Sequence, residues 1–180
     1  LDPLGDFEIL LVDDGSTDDS LNIIKRLTNT YSTVRYLSFS RNFGHQQALK
    51  AGIDNCLGEF AIMMDADFQH PIELIPKMIS KWQAGYEIVS TIREDANESS
   101  GFFKKFSSKI FYQIFSILAS FELEAGSADF RLIDRKVIDV IKGMKEKNLF
   151  LRGVIPWVGF NQSKINYRVN KRERGVSKYT

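Results

Sequence analysis

Short apolar runs alternate with longer segments of helical periodicity along the first half of the chain. Residues 7–12 form an apolar run that ends in acidic and turn residues, as a buried strand does. Residues 16–20 supply helix caps, and Leu21, Ile24 and Leu27 then recur at helical spacing. Residues 34–39 predict a second strand. Residues 44–56 predict a helix with Ala48, Leu49, Gly52 and Ile53 on one face, and 60–64 a third strand running straight into Asp65. Pro71 suits the first turn of a helix carrying Leu74, Ile75, Met78, Ile79 and Trp82, and 86–92 reads as a fourth strand.

Strands alternating with helices of this length predict an α/β fold with a mainly parallel central sheet and helices on both faces. Ligands in such sheets sit beyond the carboxyl ends of the strands. Two acidic clusters, after Val12 and after Met64, fall at those ends and mark a site. The second half is less regular. Residues 101–121 predict a long helix with six phenylalanines and with Lys104, Lys105 and Lys109 near its start. Residues 129–133 predict a strand and 135–145 a helix. The apolar segment 150–160 is interrupted by Pro156, and 165–169 alternates like a further strand.

The 180 residues fit one domain, and 43% hydrophobic with 26% charged residues excludes disorder. One cysteine, Cys56, excludes a disulfide framework, and His45 and His70 are too few for a histidine cluster, so a metal would be held by oxygen. The net charge of +1 hides an asymmetry: eight basic against sixteen acidic residues through Glu98, then sixteen against seven. Two solvated faces would account for it. So would an acidic metal-binding half beside a basic half that meets phosphates or a membrane. No run of 18 uncharged apolar residues occurs, so nothing within these residues is expected to span a bilayer.

Val12-Asp-Asp-Gly-Ser-Thr-Asp18 places Asp13 and Asp14 on a strand-ending turn, where carboxylates can accept from a ribose or a base, or simply cap the turn. In Asp65-Ala-Asp67, alternation on an extended segment points both carboxylates the same way, so both can face one divalent ion. Hard cations such as Mg²⁺ take oxygen ligands and usually share the substrate's phosphates.

These two motifs, with Ser40-Arg-Asn-Phe-Gly44 and Asp65-Ala-Asp-Phe-Gln-His-Pro71, resemble family 2 glycosyltransferases with the GT-A fold. Asp129-Phe-Arg-Leu-Ile-Asp134 and Arg172-Glu-Arg-Gly-Val-Ser-Lys-Tyr179 narrow the resemblance to the polyprenyl-phosphate glycosyltransferases, such as dolichol-phosphate mannose synthases and bactoprenol glucosyltransferases. The resemblance implies one catalytic domain over 1–180, truncated at both ends: a first strand ending in Pro-x-Tyr/Phe-Asn-Glu would precede it and membrane helices would follow. His70 departs from the pattern, since aspartate is frequent there; a neutral imidazole can cap the helix or bind a phosphate.

What the resemblance implies about roles is specific. Asp13 and Asp14 contact the nucleoside, with Arg41 reaching the nucleotide or bridging to the aspartates. Asp65 and Asp67, with Gln69 nearby, hold Mg²⁺ or Mn²⁺ and the donor diphosphate. Asp129 is the base or an acceptor-orienting carboxylate, and Asp67 shares the catalytic role through the ion. Arg131, Arg152, Arg172, Ser177 and Lys178 meet phosphate. The implied partners are a nucleotide-sugar donor, a polyprenyl-phosphate acceptor, the cytoplasmic face of a membrane and a second protomer, with no nucleic acid; a family 2 transferase acting on a glycan hydroxyl and a non-catalytic nucleotide-binding or membrane-surface module are the alternatives. The 21 residues of the phenylalanine-rich helix would extend about 31 Å. It is expected to lie at the membrane surface, with packing on the sheet or on a second protomer as the alternatives.

Overall fold

A computed structural model describes residues 5–94, 127–146 and 149–168. The predicted helix 101–121 and the residues Arg172, Ser177 and Lys178 lie outside the described residues. The elements run β1 (Ile9–Asp13), α1 (Ser20–Thr30), β2 (Val34–Ser38), α2 (His45–Asn55), β3 (Phe60–Met63), a 3₁₀ turn (Ile72–Leu74), α3 (Ile75–Gln83), β4 (Ile88–Arg93), β5 (Ser127–Asp134), α4 (Arg135–Gly143), α5 (Leu151–Trp157) and β6 (Gln162–Tyr167).

Alternation along the strands divides the core in two, because successive side chains leave opposite faces of a sheet. Ile88 and Ile133 join Ile53 of α2, Ile138 of α4 and Leu151 of α5 on one face. Their chain neighbours Val89 and Leu132 join Met78 and Ile79 of α3 on the other. Helices therefore cover both faces, as the periodicity predicts. Helix α3 begins later than expected: a continuous helix from Pro71 would place Pro76 in its interior, where it lacks an N–H and clashes with the preceding turn. The chain instead makes a 3₁₀ turn and starts the α-helix at Ile75, with Pro76 in its first turn.

The strands form two sheets, a parallel pair of β1 and β2 and a four-stranded sheet in the order β3-β5-β4-β6, which is mixed rather than mainly parallel. β1 pairs parallel with β2, and β4 parallel with β6, but β5 lies between β3 and β4 and runs antiparallel to both. Alternation reports which side chains share a face and carries no information on strand direction, so the sequence pattern could not reveal this inversion. Its consequence is positional. The start of β5 lies at the edge where β3 ends, and Met63 pairs with Arg131 in that register.

Two side chains pin the far end. Asp134 caps α4 by accepting from the Lys136 amide at 2.8 Å and also accepts from the Trp82 indole at 2.6 Å. Arg135 donates to the carbonyls of Gly58 and Cys56, tying α4 to the entry of β3.

Phe130, fully buried on β5, stacks on the His70 ring with 5.0 Å between centroids. Phe130→Ala is expected to destabilise the protein by about 3–5 kcal/mol. A urea titration whose midpoint shift, multiplied by an unchanged slope, gives that loss would bear this out.

Candidate functional site

The turn after β1 and the loop after β2 are docked backbone to backbone. Gly15 has φ +69°, and a Cβ there would overlap the Arg41 and Asn42 backbone. Asp14 accepts from the amides of Phe43 at 2.7 Å and Gly44 at 3.0 Å. Asp13 is buried and accepts from the Ser16 amide at 3.1 Å and the Ser38 hydroxyl at 2.9 Å. Burial pushes the Asp13 pKa up, but the hydrogen bonds from Ser16 and Ser38 outweigh it and leave the group below its ordinary value. The first acidic pair thus locks two loops together. Arg41 stacks over the Phe43 ring, 4.1 Å from its centroid, rather than bridging to the aspartates.

The loop fixed in this way delivers His45 as the first residue of α2. Its Nε2 lies 2.9 Å from Asp65 Oδ1 and its Nδ1 lies 3.6 Å from Asp129 Oδ2. Sequence reasoning missed this residue, weighing it only as one of two scattered histidines. The available signal was its place directly after Gly44, at a predicted helix start on the strand edge that carries the acidic clusters.

His70 is buried and does not meet solvent phosphate. Its Nδ1 faces the Tyr167 hydroxyl at 3.0 Å and its Nε2 faces Asp65 Oδ2 at 3.4 Å. Tyr167 accepts from Arg93 Nε at 3.1 Å, so its own hydrogen suits Nδ1 and the Nε2 hydrogen is left for Asp65. Asp65 is therefore gripped by two imidazoles. The hydrogen bond from His45 and then that from His70 hold its carboxyl far below the usual carboxylate range, and the same bond to Asp65 raises the His45 pKa against the effect of burial.

Asp129 is 5% exposed. Arg152 of α5 clasps it with two N–H groups, one at 3.1 Å, and Arg131 lies 3.7 Å away. Arg131 is 1% exposed and donates to the Ala128 carbonyl at 3.0 Å. Burial lowers its pKa to about 10, so it stays cationic at neutral pH and supports Asp129 from beneath. Arg152, by contrast, is 42% exposed. Asp67 accepts from the Gln69 amide at 3.1 Å, and Phe68 between them takes φ +60° with its ring in solvent. Arg152, Asp129, His45 and Asp65 thus form one connected set, and Asp67 and Gln69 follow Asp65 in the chain.

Asp65 and Asp67 suit a hard divalent cation, since both offer oxygen and Asp65 is firmly ionised. Among the described residues no group of three or more His, Cys, Asp or Glu side chains is arranged to hold a metal by itself. Two carboxylates fit an ion that completes its shell with water and donor phosphates.

The family model for glycosyl transferase family 2 matches residues 2–142. An uncharacterized glycosyltransferase of Bacillus subtilis is 43% identical over 173 residues, covering 96% of this chain and 53% of that protein. The bactoprenol glucosyl transferase of Shigella phage SfX is 39% identical over 172 residues, covering 96% of this chain and 56% of that protein. The chain thus spans about half the length of these relatives. Among solved structures, the mannosyltransferase PcManGT of Pyrobaculum calidifontis, in complex with GDP-Man and Mn²⁺, superposes with TM-score 0.56 at 17% identity. That match covers 92% of this chain and 49% of the mannosyltransferase. The fold is that of the GT-A glycosyltransferases.

The His45–Asp65 pair gives a pH signature to the metal-free protein. His45 titrates above its ordinary 6.5, so its contribution is complete below about pH 6.5 and lost as pH rises through the raised value. Asp65 titrates below its ordinary 3.8, so its contribution is present above that pH and lost in strong acid. Both side chains are more than a third exposed, which limits the effect to about 1 kcal/mol. Urea midpoints in EDTA should separate wild type from His45→Ala at pH 5.5 and converge by pH 9. A gap unchanged over that range would contradict the pairing.

Proposed function

The chain belongs to glycosyl transferase family 2, and from that premise we propose that its parent enzyme moves a sugar from a nucleotide sugar to a polyprenyl phosphate at the cytoplasmic face of a membrane. The observation that carries this reading is Asp129 clasped by the cationic Arg152, with His45 standing between it and Asp65 of the Asp65-Ala-Asp67 motif. An anionic acceptor needs such a cationic seat next to the donor diphosphate, and a relative of similar sequence is named a bactoprenol glucosyl transferase.

In the proposed reaction an acceptor phosphate oxygen supplies the electron pair for a new bond to the anomeric carbon. The bond from that carbon to the nucleoside diphosphate breaks, and its electron pair leaves with the diphosphate, inverting the centre. A phosphate monoester is already ionised near neutral pH, with a second pKa of about 6, so no proton need be removed. Asp129, held by Arg152, Arg131 and His45, then serves to orient rather than to act as a base. A Mg²⁺ or Mn²⁺ ion on Asp65 and Asp67 would neutralise charge on the leaving diphosphate. Asp13 and Asp14 shape the nucleoside end through the loops they lock, with Arg41 and Gln69 at its margin. Arg152, with Arg172, Ser177 and Lys178 of the later basic motif, would meet the acceptor phosphate.

The full-length enzyme, given labelled UDP-glucose or GDP-mannose, should form an organic-soluble glycolipid with undecaprenyl phosphate and none with the free alcohol. Equal transfer to the alcohol, or none to the phosphate, would overturn the reading.

Asp67→Ala is expected to weaken Mn²⁺-dependent binding of nucleoside diphosphate at least about tenfold, consistent with loss of one of two ligands. Its circular dichroism should match the parent. Calorimetry showing parental affinity with the same metal response would remove Asp67 from the site.

A further inference from the structure

The antiparallel ladder of β3 and β5 ends with Met63 paired to Arg131, and Asp65 and Asp129 each lie two residues beyond that pair, toward the same edge. Like charges opposed across neighbouring strands repel, and the pair is tolerated only when something stands between them. The His45 ring stands there, with Nε2 at 2.9 Å from Asp65 and Nδ1 at 3.6 Å from Asp129. Its backbone is not free to drift. The Gly44 amide is bound by Asp14 at 3.0 Å, and the amides of Gln47 and Ala48 close the first turn on the Gly44 carbonyl. The neighbouring Gln46 accepts from the Leu151 amide at 3.0 Å, fastening this turn to the helix that carries Arg152. We propose that His45 is a positioning residue for sugar transfer, linking the donor-side carboxylate Asp65 to the acceptor-side carboxylate Asp129 so that departing and arriving phosphates are held in line.

The proposal rests on the function proposed above. His45 gains and loses no proton in the step; hydrogen-bonded to Asp65 and in contact with Asp129 at 3.6 Å without a hydrogen bond, its ring spaces two groups that serve different substrates. Substitutions can separate its two contacts, since a glutamine amide reaches the Nε2 position and an asparagine amide the Nδ1 position.

The test uses full-length protein, with transfer kinetics and calorimetry of Mn²⁺ with UDP or GDP. His45→Gln should keep Mn²⁺–nucleotide affinity within about threefold of wild type while kcat falls about 10–100-fold, and His45→Asn should lose both. Asp129→Asn should lower kcat similarly, and adding it to His45→Gln should cost less than about twofold more, because both cut the same link. A His45→Gln enzyme with parental kcat, or fully additive losses, would overturn the proposal. Wild-type protein that binds Mn²⁺ and nucleotide but makes no glycolipid would sink the acceptor assignment instead. The link is then read from affinity alone: His45→Asn must weaken binding and His45→Gln must not, and equal loss in both overturns it. Wild-type protein that binds neither nucleotide overturns both readings.

Discussion

Placing two carboxylates face to face across adjacent strands is the constraint around which this domain is arranged. Asp65 follows β3 by two residues and Asp129 lies near the start of β5, and the antiparallel pairing of these strands brings both to one edge of the sheet, where His45 reaches each. Neither can rely on water alone, because Asp129 is nearly buried and Asp65 is half enclosed. An isolated buried carboxylate would cost several kcal/mol or shift its protonation. The surroundings answer with donors from four elements: His45 from α2, His70 after β3, Arg131 from β5 and Arg152 from α5. Much of the polar wiring of the fold follows from satisfying these two groups.

The wiring extends outward in layers. His70 can hold Asp65 because Tyr167 occupies its other nitrogen and Phe130 supports its face. Tyr167 is fixed in turn by Arg93 at the end of the neighbouring strand. On the other side, His45 is aimed by a loop whose amides are taken by Asp14, and Asp14 sits on a turn that only glycine at position 15 permits. A motif that looks like ligand chemistry thus has a structural duty as well. Asp13 and Asp14 set the loop that sets the histidine.

Much of this was legible in the sequence, for identifiable reasons. Period-two and helical repeats in residues 7–92 marked the strands and helices, and the strand-ending aspartates marked the edge. The same alternation could not tell that β5 is inverted, since a reversed strand has the same pattern. Nor could it tell which of two faces Arg131 takes; the fold turns it inward, under Asp129. His45 was hidden because its partners come from positions 65 and 129, so no local motif contains the bridge. His70 could be read as a departure from the aspartate frequent at that position, but its burial depends on Phe130 and Tyr167, which sequence distance concealed.

The charge segregation along the chain acquires a meaning once β5 is inserted between β3 and β4. An acidic first half and a basic second half would repel internally if each formed its own body. Pairing β5 with β3 and β4 carries Asp129, with the Arg131 and Arg152 that hold it, from the basic half to the edge of the acidic half, where His45 lies between Asp129 and Asp65. Opposite charges distant in sequence become neighbours at a single edge. The inverted strand is the topological device that interleaves them. The acidic first half supplies Asp65 and Asp67 to that edge, and the basic second half supplies Arg131 and Arg152 with Asp129.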